Sequence, residues 1–401
     1  MIATIRGRRF DVILLLILLA ALRYRAPLAL YADYNYDEEY TTIPLSQTIS
    51  FAPGRLSLPI RGENHPALPA YVAKASSTLF GTSNAGYRAI HVLLGLSTIV
   101  VLFFLTREWY GPVAARWAAA LLAFNDYFLT VSARVTAHAP HLFLVTTALY
   151  TFSRFLRTER PAYLYAAGAS VGMAFYAKEH AALLLPVFLL TLLHARYRQW
   201  LRTPHPYLAA AVFILVIGPD LIWNLTRGET AVQIAYGTEP DAPYNTYGGH
   251  LQRIGGLGVS PYPLMFYARS VVMPWHERLT GTALVDEVPE YRSLNRALGA
   301  LFLGCVLITT LRPASQDRAR GFLLLAFWVV FGLFTLIRRG NPPGRLDPVS
   351  WIWVEATMLP AIVFAGARLS DATGKWRIVT WAFAGGALAY AARTAVGGWR
   401  L

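Results

Sequence analysis

Eleven apolar stretches follow one another along this chain, at about 10–31, 88–106, 112–131, 138–156, 161–177, 180–195, 206–225, 295–311, 320–337, 350–367 and 376–392. A helix needs about 20 apolar residues to cross the hydrocarbon core of a bilayer, and most of these runs approach that length. Several are short, so the count is open by one or two. The expected fold class is an all-α polytopic membrane protein with about 11 transmembrane helices, organised as a single domain over 1–401. Composition agrees: 14% of the residues are charged, against about 25% in ordinary soluble domains.

The chain is basic, with 36 Lys+Arg against 22 Asp+Glu. Nucleic acid is not the implied partner, because short basic cytoplasmic loops alone give a membrane protein this balance. The arginines set the orientation. With Arg6, Arg8 and Arg9 in the cytoplasm, alternate loops carry Arg107 and Arg116; Arg154, Arg157 and Arg160; Arg196, Arg198 and Arg202; Arg312, Arg318 and Arg320; and Arg368, Lys375 and Arg377. Each of these loops is short and basic, the regime in which the positive-inside rule operates. The first run lacks a small-residue cleavage site and reads as a retained anchor. The lone Cys305 has no intramolecular partner.

Two long loops then fall on the outer side, 32–87 and 226–294, with the turn "AKEH" and the stretch "RRGNPPGRLDPVS". Neither loop is large enough for a soluble domain, and the segment after His65 reads as a short interfacial helix. Arg23 and Arg25 also reach the outer side, where snorkelling to headgroups or contact with an anionic lipid accounts for them.

Directly after the first run comes "YADYNYDEEY" (31–40), with Asp33, Asp37, Glu38 and Glu39 inside seven residues. A carboxylate at an apolar boundary is poorly solvated and its pKa tends to rise. That suits a general base taking a proton from an acceptor hydroxyl or amine. Four solvated loop acids without a role are the alternative.

The order of elements adds to this. "YDEEY" is followed by "GENHPALPAYVAKASSTLFGTSNAGYRAIHVLLG" (62–95), then "AARWAAALLAFNDYFLTVSARVTAHAPHLFLVTTALYTFSRFL" (114–156), then "GMAFYAKEHAALLLPVFLL" (172–190). The arrangement resembles the GT-C membrane glycosyltransferases, nearest to the protein O-mannosyltransferase and aminoarabinose transferase group (glycosyltransferase family 39-like). The likeness covers roughly residues 10–195. It implies a GT-C fold with a catalytic first outer loop and a polyprenyl-phosphate sugar as donor. The implied acceptor is a lipid, glycan or protein outside the cytoplasm.

By the same resemblance Asp37 falls on the catalytic acid, with Glu38 as its companion. His65 falls where the family has His or Lys before proline, and Arg88, Arg134 and Lys178 match its basic positions. Arg345, before a late run containing Pro360, is matched as a further phosphate or substrate contact. Two departures stand out: the element reads His-Pro-Ala-Leu-Pro, without a second adjacent proline, and His138 stands where the family often has aspartate. The second bears on the donor and on any divalent metal bound there.

Physically, a sugar phosphate on a polyprenyl tail needs a groove among the spans and a cationic anchor at the interface. Lys178, Arg88 and Arg134, near outer span ends, offer such anchors; snorkelling is the competing account of the two arginines. The reaction expected is an inverting displacement, with Asp37 as base and Glu38 orienting Asp37, the acceptor or a metal. Glu355, within a late run, is expected to face a polar cavity. The loop 226–294, rich in Tyr, Gly and Pro, suits sugar binding as well as a membrane interface. No cofactor is certain. His250, His276 and Glu277 are metal candidates only if brought beside Asp37, and no ligand spacing supports them. A transporter or flippase of lipid-linked glycans would place its acids at the bilayer midplane in repeated halves. Surface acids without a repeat favour the enzyme. A non-catalytic family member remains the third reading.

Overall fold

The computed structural model describes residues 11–34, 37–61, 66–236, 254–257, 267, 289–311, 318–339 and 355–371. Within them the chain is mostly helical. Helix α1, Val12–Tyr31, starts where the Asp11 side chain accepts from Leu14 N, at 3.2 Å. Asp11 also pairs with Arg116 at 3.2 Å, joining the start of α1 to a later helix.

The first outer loop is built from short pieces. A π-helical turn, Asp37–Thr42, carries the acids and runs into α2, Ile43–Thr48. After an antiparallel bridge between Ser50 and Ser57 comes α3, Leu68–Phe80, which ends at Gly81. A small core of Ile43, Ala73, Tyr87 and Val135, with Tyr34 against it, fastens this loop to the bundle.

Helix α4, Asn84–Ala123, is nominally 40 residues long, but Gly111 breaks it with φ 81°. That left-handed conformation favours glycine, and Pro112 then opens the second half at a position where its missing N–H costs nothing. The one helix thus corresponds to two of the apolar runs. Asn125 starts α5, Asp126–Ser132, by accepting from Phe128 N at 2.9 Å. The remaining helices are α6 (His138–Thr158), α7 (Pro161–Ala177), α8 (Leu184–Leu193), α9 (His205–Tyr236), α10 (Pro289–Leu311), α11 (Arg318–Leu336) and α12 (Met358–Asp371). A short antiparallel ribbon, β1 (Ile254–Leu257) with β2 (Ile337–Arg339), departs from the all-helical expectation.

The core forms where α4 packs on α1, α6 and α12, and α7 on α6 and α9. Small residues allow the closest approaches. A side-chain carbon on Gly366 of α12 would lie 2.6 Å from the Ala114 carbonyl, and one on Gly168 of α7 would lie 2.4 Å from the Ala209 carbonyl of α9. Arg25 is buried, contrary to snorkelling: its Nε donates to Ser132 Oγ at 2.7 Å and its Nη1 to the Ala21 and Ala123 carbonyls at 3.2 Å. It locks α1 against α4 and α5.

Among the described residues, three helical stretches are long and apolar enough to cross a membrane: Val12–Tyr31, Asn84–Ala123 and His205–Trp223. Shorter apolar helices cover Glu179–Leu193, Gly299–Leu311 and Gly321–Thr335. The expected count of about 11 goes beyond these, and the run 376–392 lies outside the described residues. Helix α9 continues to Tyr236, so the loop boundary expected at 226 falls inside it.

Candidate functional site

Glu38 is the centre of one buried polar cluster. Its carboxylate forms a two-pronged pair with Arg88 of α4, Nε to Oε1 at 2.7 Å and Nη2 to Oε2 at 2.9 Å. Arg134 Nη1 donates to Oε2 at 3.1 Å, and the Val135 backbone N–H donates to Oε1 at 2.8 Å. Burial alone would push this carboxyl's pKa up; the hydrogen bonds and charge of Arg88, the charge of Arg134 and the Val135 N–H more than offset it, so the pKa lies below its ordinary value.

Arg88 does a second job. Its Nη1 donates to the carbonyls of Leu28 at 3.0 Å and Ala32 at 2.7 Å, and its Nη2 to the Asp33 carbonyl at 3.0 Å. The last carbonyls of a helix have no partner within it, and here a side chain from α4 takes those at the end of α1. Arg134 Nη1 reaches the Asp33 carbonyl as well, at 3.0 Å. The ring of Tyr34 lies 5.1 Å from the Arg88 guanidinium, within cation–π reach. The segment leading from α1 to the acids is therefore held by two arginines, and Asp37 opens the turn that follows.

A second buried cluster gathers around Glu355. Lys178 Nζ donates to Glu355 Oε1 at 3.1 Å, and Tyr127 OH donates to Oε2 at 2.5 Å. His138 Nδ1 lies 2.6 Å from Oε2 and 2.9 Å from Lys178 Nζ. His141 Nε2 stands 3.8 Å from Oε1. Glu355, expected to face a polar cavity, meets a lysine, a tyrosine and histidines. The stretch 134–138 serves both clusters, with Arg134 and Val135 on Glu38 and His138 on Glu355.

Of the residues proposed from the sequence, Glu38, Arg88 and Arg134 thus come together, as do His138 and Lys178. Asp37 adjoins the first group in sequence. His65, Arg345, His250, His276 and Glu277 lie outside the described residues. Arg88 and Arg134, expected as phosphate anchors, bind the Glu38 carboxylate and backbone carbonyls. Sequence reasoning passed over Tyr127 and a third cluster, in which Arg61 pairs with Glu179 and, at 3.2 Å, with Asp220. Asp220 carried a readable signal, an acid inside the apolar run 206–225, and such residues are seldom without a role.

Among the described residues no group of three or more His, Cys, Asp and Glu is placed to hold an ion. Both Glu38 oxygens already accept hydrogen bonds from Arg88, Arg134 and Val135.

Residues 64–223 match the family described as dolichyl-phosphate-mannose-protein mannosyltransferase. The fold is that of ArnT from Cupriavidus metallidurans, in its structure bound to undecaprenyl phosphate. The TM-score is 0.64 at 18% identity, over 91% of this chain and 61% of that one. The chain has the GT-C fold, and its residues 64–223 resemble the mannosyltransferases of that family model. The Archaeoglobus fulgidus oligosaccharyltransferase shares the GT-C scaffold, with a TM-score of 0.53 at 15% identity over 96% of this chain and 54% of that one. A Bacillus subtilis (strain 168) protein named "Putative mannosyltransferase YkcB" is 25% identical over 195 residues, 46% of this chain and 26% of its own length. The chain spans only part of each relative. Both buried clusters draw on the region matched to the family: Arg88, Arg134, His138 and Lys178 lie inside 64–223, and Glu38 and Glu355 reach it from either side. Its apolar helices make this GT-C chain an integral membrane protein.

Proposed function

We propose that this protein is a glycosyltransferase that moves a sugar, with inversion, from a polyprenyl-phosphate donor to an extracytoplasmic acceptor. The acceptor is a lipid, glycan or protein. Asp37 takes the proton from the acceptor hydroxyl or amine. The freed lone pair attacks the anomeric carbon, and the bond from that carbon to the phosphate oxygen breaks. Polyprenyl phosphate leaves with the bonding electrons, and Lys178 and His138 stabilise its charge. Glu38 does not react; clamped by Arg88 and Arg134, it fixes the turn that Asp37 opens. His65 and Arg345 are further substrate contacts in this reading. The N-terminus lies in the cytoplasm and the reaction on the opposite face.

The observation that carries the proposal is the Glu38–Arg88–Arg134 clamp. Two buried arginines converge on the acid next to Asp37, more restraint than solvated loop acids require. The undecaprenyl phosphate in the ArnT structure and the mannosyltransferase family match support the donor class. The test is transfer from radiolabelled polyprenyl-phosphate sugars in membranes. Asp37→Asn is expected to abolish it while protein level and membrane insertion stay as in the parent. Full transfer by that variant would remove Asp37 as the base.

A further inference from the structure

Lys178 and Glu179 are neighbours in the chain but belong to different clusters. Lys178 ends α7 in an extended conformation, φ −154° and ψ 128°, and successive side chains of extended backbone point to opposite sides. The Lys178 ammonium accordingly meets Glu355 at 3.1 Å, whereas the Glu179 carboxylate pairs with Arg61 of the first outer loop.

Arg61 is well placed to hold this turn. Its side chain is 3% exposed, and its Nε lies 3.2 Å from Asp220 of α9. Its guanidinium stands 5.8 Å from the Trp223 ring centre, one turn further along α9. The strand of loop that carries it is itself fastened: Arg61 bridges to Pro66, Ala67 N donates to the Ile60 carbonyl at 2.9 Å, and Tyr71 OH donates to the Pro59 carbonyl at 3.0 Å. One cation thus ties the outer loop, α9 and the turn after α7 together. Nothing in the proposed chemistry needs a charge at Arg61, Glu179 or Asp220.

We propose that Arg61 is a positioning residue for Lys178: by gripping Glu179 and Asp220 it fixes the backbone from which the lysine reaches the donor phosphate. This rests on the reading of Lys178 as a phosphate contact. A guanidinium bridging two carboxylates resists displacement of either, so its loss frees the 178–179 turn and lowers the fraction of time the ammonium is aligned.

The test is a double-mutant cycle on the purified full chain, reading the dissociation constant for undecaprenyl phosphate. Lys178→Met and Arg61→Gln are each expected to weaken binding about tenfold, near the value of one charge-assisted hydrogen bond. The double variant is expected to lose no more than about tenfold in total, because once the lysine is gone its alignment no longer matters. A merely structural Arg61 gives independent losses that multiply to about a hundredfold, and that result overturns the inference. Unchanged affinity in Arg61→Gln overturns it too. If Lys178→Met binds as well as the parent, the phosphate reading of Lys178 fails first and takes this inference with it. Should Arg61→Gln not fold, Glu179→Gln leaves the Arg61–Asp220 pair in place and reads the same coupling.

Discussion

Arg88 and Glu38 meet through two parallel hydrogen bonds, 2.7 and 2.9 Å long, across 50 residues of sequence and out of contact with solvent. Such a pair is weak evidence for stability as a whole, but removing one partner strands a buried charge. Here Arg88 also carries the carbonyls that end α1, so its loss exposes two deficits at once.

Arg88→Ala is accordingly expected to destabilise the protein by about 3–5 kcal/mol and to abolish transfer. Thermal unfolding in detergent reads the first and the membrane assay the second. Arg88→Lys should recover part of the stability but little activity, since a single ammonium cannot copy the planar fork.

A pH dependence follows from the direction of the Glu38 shift. Its carboxyl titrates below the ordinary value of 4.5 in the folded state. The stability it contributes is therefore fully present above about 4.5, the unfolded value, and is lost as the pH falls through the lower folded value. Melting temperatures of parent and Glu38→Gln should run roughly parallel from neutral pH down to about 5 and converge in more acid buffer. Parallel curves throughout would show that Glu38 is not the titrating group.

Lys178→Ala leaves the Glu355 carboxylate with His138 and Tyr127 but no ammonium, and should cost about 3–5 kcal/mol. Lys178→Met combined with Glu355→Gln removes both charges and should restore most of that stability without restoring undecaprenyl-phosphate binding. Comparing melting temperature with affinity across the parent and these two variants separates the lysine's part in the fold from its part in the chemistry.

Gly168 tests the packing of α7 on α9. A methyl there would sit 2.4 Å from a backbone carbonyl that cannot swing aside. Gly168→Ala should cost about 1–3 kcal/mol, the usual penalty for overpacking, read as a lower melting temperature with unchanged donor affinity.

Much of the helical layout was legible in the sequence. The run 161–177 coincides with α7, and 138–156 with α6, because apolar length and a proline or polar residue at the start mark such helices well. The break at Gly111 was legible too, as the gap between two runs. The resemblance to GT-C enzymes gathered Glu38, Arg88, Arg134, His138 and Lys178 before any geometry was known. Their pairings were not readable. Tyr127 bonds to Glu355 across 228 residues, and Arg61 bonds to Glu179 across 118. Hydropathy says where a chain sits relative to a bilayer, not which buried cation faces which anion. For the same reason Arg88 and Arg134 were legible as buried cations, but their pairing with Glu38 was not.

The arginine clamp at the end of α1 has a consequence for biosynthesis. The first helix emerges from the ribosome long before residue 88, and residue 134 comes later still. Until both arginines arrive, the stretch around Asp33 and Glu38 lacks the partners that shape it. Nascent chains halted short of residue 134 should leave that stretch open to added protease, and chains extended beyond it should not. The turn that Asp37 opens would then be the last part of the amino-terminal third to mature, although its own residues are translated near the beginning.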